Sequence, residues 1–137
     1  MLNKETVENK AVTPPHDLDL EKSVLGALLI DEDAIVKVVE FLKPDHFYRK
    51  AHHDIFSAIL ELFEKREPAD LVTVPGHLKK VKKLEDIGGV SYLTELVNYV
   101  HTSSNIEFYA KEIKDYAVRR QLMSAASRIG DLSLESS

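Results

Sequence analysis

The fold of this chain is decided by residues 52–65, HHDIFSAILELFEK. Apolar residues recur there three and four positions apart, the spacing at which side chains share one face of an α-helix. This stripe consists of Ile55, Phe56, Ile59, Leu62 and Phe63, and the polar residues between them, Asp54, Glu61, Glu64 and Lys65, are expected to face water. Pro68 closes the segment because proline cannot donate a helical hydrogen bond. The stretch therefore predicts an amphipathic helix.

The same spacing predicts two helical segments before residue 52. Pro14-Pro15 stops regular structure, and Asp17 is placed to cap a helix from about Leu18 to Ile30. A second helical segment is predicted after the acidic run 31–33 and ends at Pro44. Its apolar face consists of Ile35, Val38, Val39 and Leu42.

Three helices are predicted downstream. Thr73 can cap a short helix, and Gly88-Gly89 separates it from an amphipathic helix over residues 90–100. Ser104 and Glu107 have capping-box spacing and open a helix with apolar positions as far as Ile129. At about 1.5 Å per residue that helix is roughly 35 Å long, which exceeds what a small domain covers. Its far end is therefore expected to project or to pack on another chain.

The whole pattern predicts an all-α protein, a compact bundle of about six helices with a long C-terminal helix. No stretch alternates in the manner of a strand. Residues 1–13 are polar and predict a flexible leader, and residues 14–130 form the helical domain. Gly130 and the polar residues after it predict that 131–137 are a frayed tail or the start of a linker.

Composition narrows the function classes. The chain has no cysteine, which excludes disulfides, zinc–thiolate sites and thiol nucleophiles. The longest apolar run, residues 24–30, is too short to span a bilayer, and the polar N-terminus does not resemble a secretory signal. We therefore expect a cytoplasmic protein. Its net charge of -5 does not favour general binding to polyanions.

Motifs for nucleotide chemistry are missing from the sequence. A phosphate-binding P-loop needs G-x-x-x-x-G-K-[ST], whose backbone N–H groups surround the phosphates. None of the five glycines opens that pattern, so the chain is not expected to hydrolyse ATP by itself.

Two short clusters leave alternative functions open. An adjacent histidine and aspartate, here His53 and Asp54, can bind metal in phosphohydrolases of an all-helical His-Asp type. Such a site needs further ligands from other helices. The competing interpretation places residues 52–54 in the first turn of a surface helix. Residues 79–83 contain four lysines, which would suit a weak DNA-binding module, but a solvated helix face explains them without a ligand.

Several segments, in this order and spacing, resemble the N-terminal domain of bacterial replicative DNA helicases of the DnaB family. They are Pro14-Pro15-His16 with 21–29 (EKSVLGALL), 42–44 (LKP) with 47–49 (FYR), 51–52 with 55–56, 67–74 (EPADLVTV), 84–93 (LEDIGGVSYL) and 105–110 (NIEFYA). The resemblance extends from about Pro14 to Ile129.

The resemblance implies a non-catalytic scaffold within a larger enzyme. Members of this family continue into a second hairpin helix, a linker and a RecA-like domain, which binds ATP and Mg²⁺ and unwinds DNA. No cofactor is therefore expected on the residues present here. The implied partners are the C-terminal domain of primase, other helicase subunits in dimer pairs within a hexamer, and a helicase loader. DNA contact is expected to be weak or indirect, and no membrane contact is expected.

Contact residues follow from the resemblance and from the long last helix. Tyr92, Met123 and Ile129 resemble the family's primase-docking positions. Apolar residues on the long helix are the candidates for self-association: Tyr109, Ile113, Val118 and Leu122. For each of these residues the alternative is a place in the core of the domain itself.

Overall fold

The computed structural model describes residues 13–100 and 105–135, and within them every regular element is helical. The five α-helices are α1 (Leu18–Ile30), α2 (Lys50–Glu64), α3 (Thr73–Lys80), α4 (Gly89–Tyr99) and α5 (Ile106–Leu134). Two short 3-10 helices, Ala34–Lys37 and Pro44–His46, lie between α1 and α2. The all-α class and the long last helix are confirmed. The flexible leader and the Ser104 cap fall outside the described residues.

Helix α1 is the centre of the domain. Its predicted bounds are confirmed, and Asp17 caps it by accepting the Leu20 N–H at 3.1 Å. Helices α2, α4 and α5 all pack against it. Its middle turns are therefore buried on every side, which explains why residues 24–29 form a nearly continuous apolar run.

Gly26 allows α1 and α4 to approach closely. A Cβ atom at this position would lie 2.3 Å from the Leu96 carbonyl oxygen and 2.4 Å from Val100 Cγ2. Real Cβ atoms do not approach backbone this closely. Any larger residue at position 26 must therefore push the two helices apart.

The prediction of a helix over residues 31–43 was wrong about the secondary structure, but it identified the buried face correctly. The backbone forms a 3-10 turn at Ala34–Lys37 and then isolated turns, with Val39 N–H donating to Ile35 O and Leu42 N–H to Val38 O at 2.9 Å each. Ile35, Val38 and Leu42 are still buried. Four β-branched residues in a short segment weaken a helix, and separate turns bury the same side chains.

The start of α3 also differs from the prediction. Thr73 is the first helical residue, and Asp70 satisfies the free backbone donors. Asp70 Oδ1 accepts the N–H groups of Val72 at 2.8 Å and Thr73 at 2.9 Å, while Thr73 Oγ1 accepts the Asp70 N–H at 2.9 Å. These backbone hydrogen bonds, that of Thr73 first, lower the pKa of Asp70.

Helix α5 leaves the body of the domain half-way along its length. Its buried residues are Ile106, Ala110, Ile113 and Ala117, and every residue from 121 to 134 is exposed. The helix continues through Gly130 to Leu134, into the residues for which a frayed tail or the start of a linker was predicted. We call residues 121–134 the arm. Within the described part of the chain, no helix is both long and apolar enough to cross a membrane.

Replacement of Gly26 by alanine tests the helix contact. We expect Gly26→Ala to lower the free energy of unfolding by about 1–3 kcal/mol, the usual cost of overpacking. Gly76→Ala is the matched control, because nothing lies within 4 Å of the added methyl group. At that helical position alanine should stabilise the protein by about 0.5–1 kcal/mol. Urea unfolding measures both, and equal effects would contradict the close approach.

Candidate protein-interaction site

The arm presents an apolar stripe to solvent. Val118, at its base, is 41% exposed, Leu122 is 65%, Ile129 is 68% and Leu132 is 54%. With Ala125 these residues are spaced by four, three, four and three positions, which is the heptad spacing of helices that pair side by side. An exposed apolar stripe of this kind marks a surface that a partner covers.

The self-association candidates divide into two groups. Val118 and Leu122 lie on the exposed stripe. Ile113 is only 1% exposed and belongs to the core, so its assignment to an external contact was wrong. Tyr109 is partly buried and packs against the same core. Helical spacing alone did not separate these groups, because the stripe that faces the core and the stripe that faces solvent follow each other along one helix.

The primase-docking candidates lie in three different surroundings. Met123 is 38% exposed and lines a shallow groove with Pro14, Arg120, Ser124 and Ser127. Ile129 lies one heptad beyond Leu122 and therefore shares the apolar stripe rather than the face of Met123. Tyr92 is on α4, half-buried in the body of the domain.

Tyr92 is held by a buried polar network that links α1, α2 and α4. Glu21 and His52 are 2% and 0% exposed. His52 Nδ1 lies 2.8 Å from Glu21 Oε1, and His52 Nε2 lies 2.6 Å from the Tyr92 hydroxyl. The Arg49 guanidinium donates to the same hydroxyl at 3.3 Å and lies 5.2 Å from the centre of the Tyr92 ring.

The network satisfies both oxygens of Glu21. Oε2 accepts the Tyr48 N–H at 2.8 Å, and Oε1 accepts the Arg49 N–H at 3.4 Å as well as the His52 Nδ1–H. Burial, the largest influence, raises the pKa of Tyr92 above 10.0, so its hydroxyl stays protonated beside His52 Nε2. The Glu21 carboxylate therefore holds the start of α2 against α1. His52 links both helices to Tyr92 on α4.

This network was not predicted from the sequence. Residues 52–54 were interpreted as the first turn of a surface helix, but His52 and Asp54 are buried. Glu21 and His52 are 31 positions apart, and Tyr92 is a further 40 positions along the chain. No local pattern connects residues at such separations. The only sign of this network in the sequence is that Glu21 and His52 each lie next to the apolar face of a predicted helix.

Arg120 fastens the base of the arm to two other segments. Its guanidinium donates to the Pro15 carbonyl oxygen at 2.9 Å and to the His46 carbonyl oxygen at 2.8 Å. It also lies 5.4 Å from the centre of the Tyr48 ring, on which His16 stacks at 4.0 Å. A planar cation with several fixed donors suits this bridging role. The direction in which the arm leaves the body is therefore set by specific contacts.

His53 and Asp54 are engaged with each other and with lysines. His53 Nδ1 lies 3.2 Å from Asp54 Oδ1, and Lys50 and Lys83 approach the same oxygen to 3.4 Å and 3.5 Å. In the described ranges no group of three or more His, Cys, Asp or Glu side chains is arranged to hold a metal ion. The geometry is that of a charge cluster that ties α2 to the end of α3.

The four lysines of residues 79–83 do not share one open surface. Lys83 is directed at Asp54. Lys79 and Lys82 line a shallow groove whose remaining residues include Glu85 and Asp86. Acidic side chains beside the lysines oppose a phosphate contact there.

These features define a class, an all-helical domain with a buried polar junction and a projecting helical arm. The chain belongs to the family of DnaB-like helicase N-terminal domains, whose model matches residues 13–115.

Individual relatives agree with this assignment. The replicative DNA helicase DnaB of Geobacillus stearothermophilus is 45% identical over 116 residues, which are 85% of this chain and 26% of that protein. The crystal structure of the N-terminal domain of DnaB helicase from Mycobacterium tuberculosis is 41% identical, covers 90% of each chain and superimposes with a TM-score of 0.87. A DnaB-like replicative helicase studied for its interactions with primase is 25% identical over 87% of this chain and 28% of its own, with a TM-score of 0.75. The chain thus spans about a quarter of the length of the curated relative.

Removal of the Tyr92 hydroxyl tests the polar network. Tyr92→Phe leaves the buried His52 Nε2 without its hydrogen-bond partner, so we expect a loss of about 1–3 kcal/mol in the free energy of unfolding. Tyr109→Phe is the control, because among the described residues the Tyr109 hydroxyl has no hydrogen-bond partner. Urea unfolding of both variants gives the comparison. A Tyr92→Phe protein as stable as the control would show that the network contributes nothing.

The interactions of Asp54 with His53, Lys50 and Lys83 make the free energy of unfolding depend on pH. Burial alone would raise the pKa of Asp54, but the His53 hydrogen bond and then the charges of Lys83 and Lys50 outweigh it and lower the pKa below 3.8. Its stabilisation is therefore complete above the unfolded value of about 3.8 and is lost as pH falls towards the folded pKa. We expect Asp54→Asn to flatten this acid limb in thermal unfolding between pH 5 and pH 2. Asp115→Asn, which breaks only an exposed pair with Arg119, should leave the limb unchanged.

Proposed function

We propose that this chain is a non-catalytic assembly and docking domain of a replicative DNA helicase, which acts in the cytoplasm during DNA replication. The arm pairs subunits within the helicase ring, and the adjoining face receives the C-terminal domain of primase. A helicase loader is a further partner of the assembled ring, and any contact with DNA is weak or indirect. ATP and Mg²⁺ act on a RecA-like domain, and this domain contributes by bridging subunits and presenting a surface.

The exposed stripe on the arm is the observation that carries this proposal. Its residues have heptad spacing and face solvent over several turns, although Val118 lies only one residue beyond the buried Ala117. A helix that keeps apolar spacing after it has left its own core requires a second helix to cover it. Membership of the DnaB-like helicase N-terminal family supports a partner that belongs to a replicative helicase.

Primase docking is supported by the related helicase that was studied with primase and by the groove at the base of the arm. Met123 lines this groove beside Arg120. Contacts from Tyr92 to Arg49 and from Tyr48 to Arg120 connect α4 with the same region. The docking surface that we propose therefore combines an exposed anchor on the arm, Met123, with a body whose shape depends on the polar network. Ile129 serves either this surface or the pairing stripe.

Self-association through the arm is tested with the double variant Leu122→Ser and Ile129→Ser. Removing two apolar side chains from the stripe should weaken dimer formation at least tenfold, since each buried leucine or isoleucine contributes about 1.5–3 kcal/mol. Sedimentation equilibrium measures the dissociation constant. Leu134→Ser is the matched control, because Leu134 is 85% exposed and lies off the stripe. A wild-type chain that stays monomeric at millimolar concentration would contradict pairing through the arm.

Primase docking is tested by calorimetric titration of the chain with the C-terminal domain of the primase from the same organism. We expect saturable binding that Met123→Ser weakens while circular dichroism stays unchanged. The Leu122→Ser and Ile129→Ser variant then distinguishes the two surfaces: it should lose pairing, and it loses primase only if Ile129 belongs to the docking surface. Saturable binding that Met123→Ser leaves unchanged would exclude the groove.

A further inference from the structure

Where α5 crosses the Pro44–His46 turn, several cations lie near His46, and Asp45 is the one acid among the charges that act on its ring. Lys43 and Lys114 are exposed, and neither has an acidic partner within 4 Å in the described part of the chain. Lys111, on the same helix, is different, because Glu107 lies 3.2 Å away. The guanidinium of Arg120 donates only to neutral carbonyl groups, so its charge is also uncompensated.

His46 adds a directed hydrogen-bond donor to this surface. The Lys43 N–H donates to His46 Nδ1 at 3.0 Å, so Nδ1 is the acceptor and the ring proton is on Nε2. That Nε2–H has no acceptor among residues 13–100 and 105–135. Arg120 holds the His46 carbonyl oxygen at 2.8 Å and so fixes the turn that carries the ring. The turn therefore carries a neutral N–H donor whose ring lies within the electrostatic influence of Lys43 and Lys114.

The electrostatics of His46 agree with this geometry. Burial lowers the pKa of its ring, and the charge of Lys114 lowers it further, as do those of Lys43 and Arg120, while Asp45 alone opposes them. The Asp45 carboxylate is itself 3.1 Å from His53 Nε2. The ring is consequently neutral at pH 7, and the potential around it is positive.

We propose that Lys43, Lys114 and the Nε2–H of His46 form an anion-binding site that receives the carboxylates of an acidic segment of a partner protein. This site lies on the body of the domain and is separate from the apolar stripe on the arm. Two ammonium groups and an imidazole N–H on one surface suit a pair of carboxylates, since hydrogen bonds to a charged acceptor are stronger than neutral ones.

An acidic peptide fits this site better than a nucleic acid. The chain carries a net charge of -5, so a long phosphate backbone would be repelled beyond these few cations. Binding of single strands also relies on free aromatic faces. Tyr48, beside the site, already has His16 stacked on it at 4.0 Å and the Arg120 guanidinium 5.4 Å from its ring centre. A short acidic segment needs neither a long basic track nor a stacking platform.

The test is an NMR titration of the whole chain with a hexaglutamate peptide, read on the His46 ring signals. Bound carboxylates should raise the pKa of His46, which the surrounding charges Lys43, Lys114 and Arg120 lower and Asp45 raises. The Lys43→Gln and Lys114→Gln double variant should bind the peptide about tenfold more weakly. Lys111→Gln should bind within twofold of the wild type, because Lys111 is already paired with Glu107.

Three results would overturn the proposal. Hexaglutamate could leave the His46 signals unchanged, or Lys111→Gln could weaken binding as much as the double variant does. An oligothymidylate of similar charge that binds more tightly than hexaglutamate would assign the surface to nucleic acid instead. Circular dichroism and thermal unfolding of each variant confirm that the fold is intact, as expected for exposed lysines replaced by glutamine.

Discussion

The burial of α1 is the constraint on which the other helices depend. Helices α2, α4 and α5 pack around it, and two of its residues determine how they do so. Gly26 lets the backbone of α4 approach so closely that no side chain fits between the helices. Glu21 places a carboxylate inside the protein, and burial of that charge is tolerated only because several donors converge on it. Apolar packing thus sets the distance to α4, and the carboxylate sets the position of α2.

The arm begins where α5 extends beyond the core of the domain. Ala117 is the last buried residue of α5, and from residue 121 to residue 134 every residue of the helix is exposed. The apolar spacing nevertheless continues through Leu122 and Ile129. Arg120 stands at the transition and fastens the helix to Pro15 and His46, so the exposed part extends in a defined direction. A helix held in a defined direction loses less conformational entropy when a partner binds it.

Charged residues are arranged differently in two neighbouring clusters, which His53 and Asp45 connect. Around Asp54 the charges compensate one another, and the cluster holds α2 against the end of α3. Around His46 the cations Lys43 and Lys114 remain uncompensated and face solvent. A protein with an acidic total charge can thus keep a local positive surface, because screening in water confines each effect to roughly 10 Å. The first arrangement ties two helical segments together, and the second leaves positive charge at the surface.

The sequence by itself determined the helices and most of the core. Helical spacing placed α1 at its observed bounds and identified most of the buried face of α2, because amphipathic periodicity is a local property. The same spacing failed at residues 34–42, where β-branched side chains reached the core through isolated turns. It also could not show that Ile113 faces the core while Leu122 faces solvent. Only the tertiary structure decided which face of α5 is buried. It alone also brought Glu21, His52 and Tyr92 into contact, because contacts between residues 31 and 40 positions apart depend on how the helices pack and leave no local pattern in the chain.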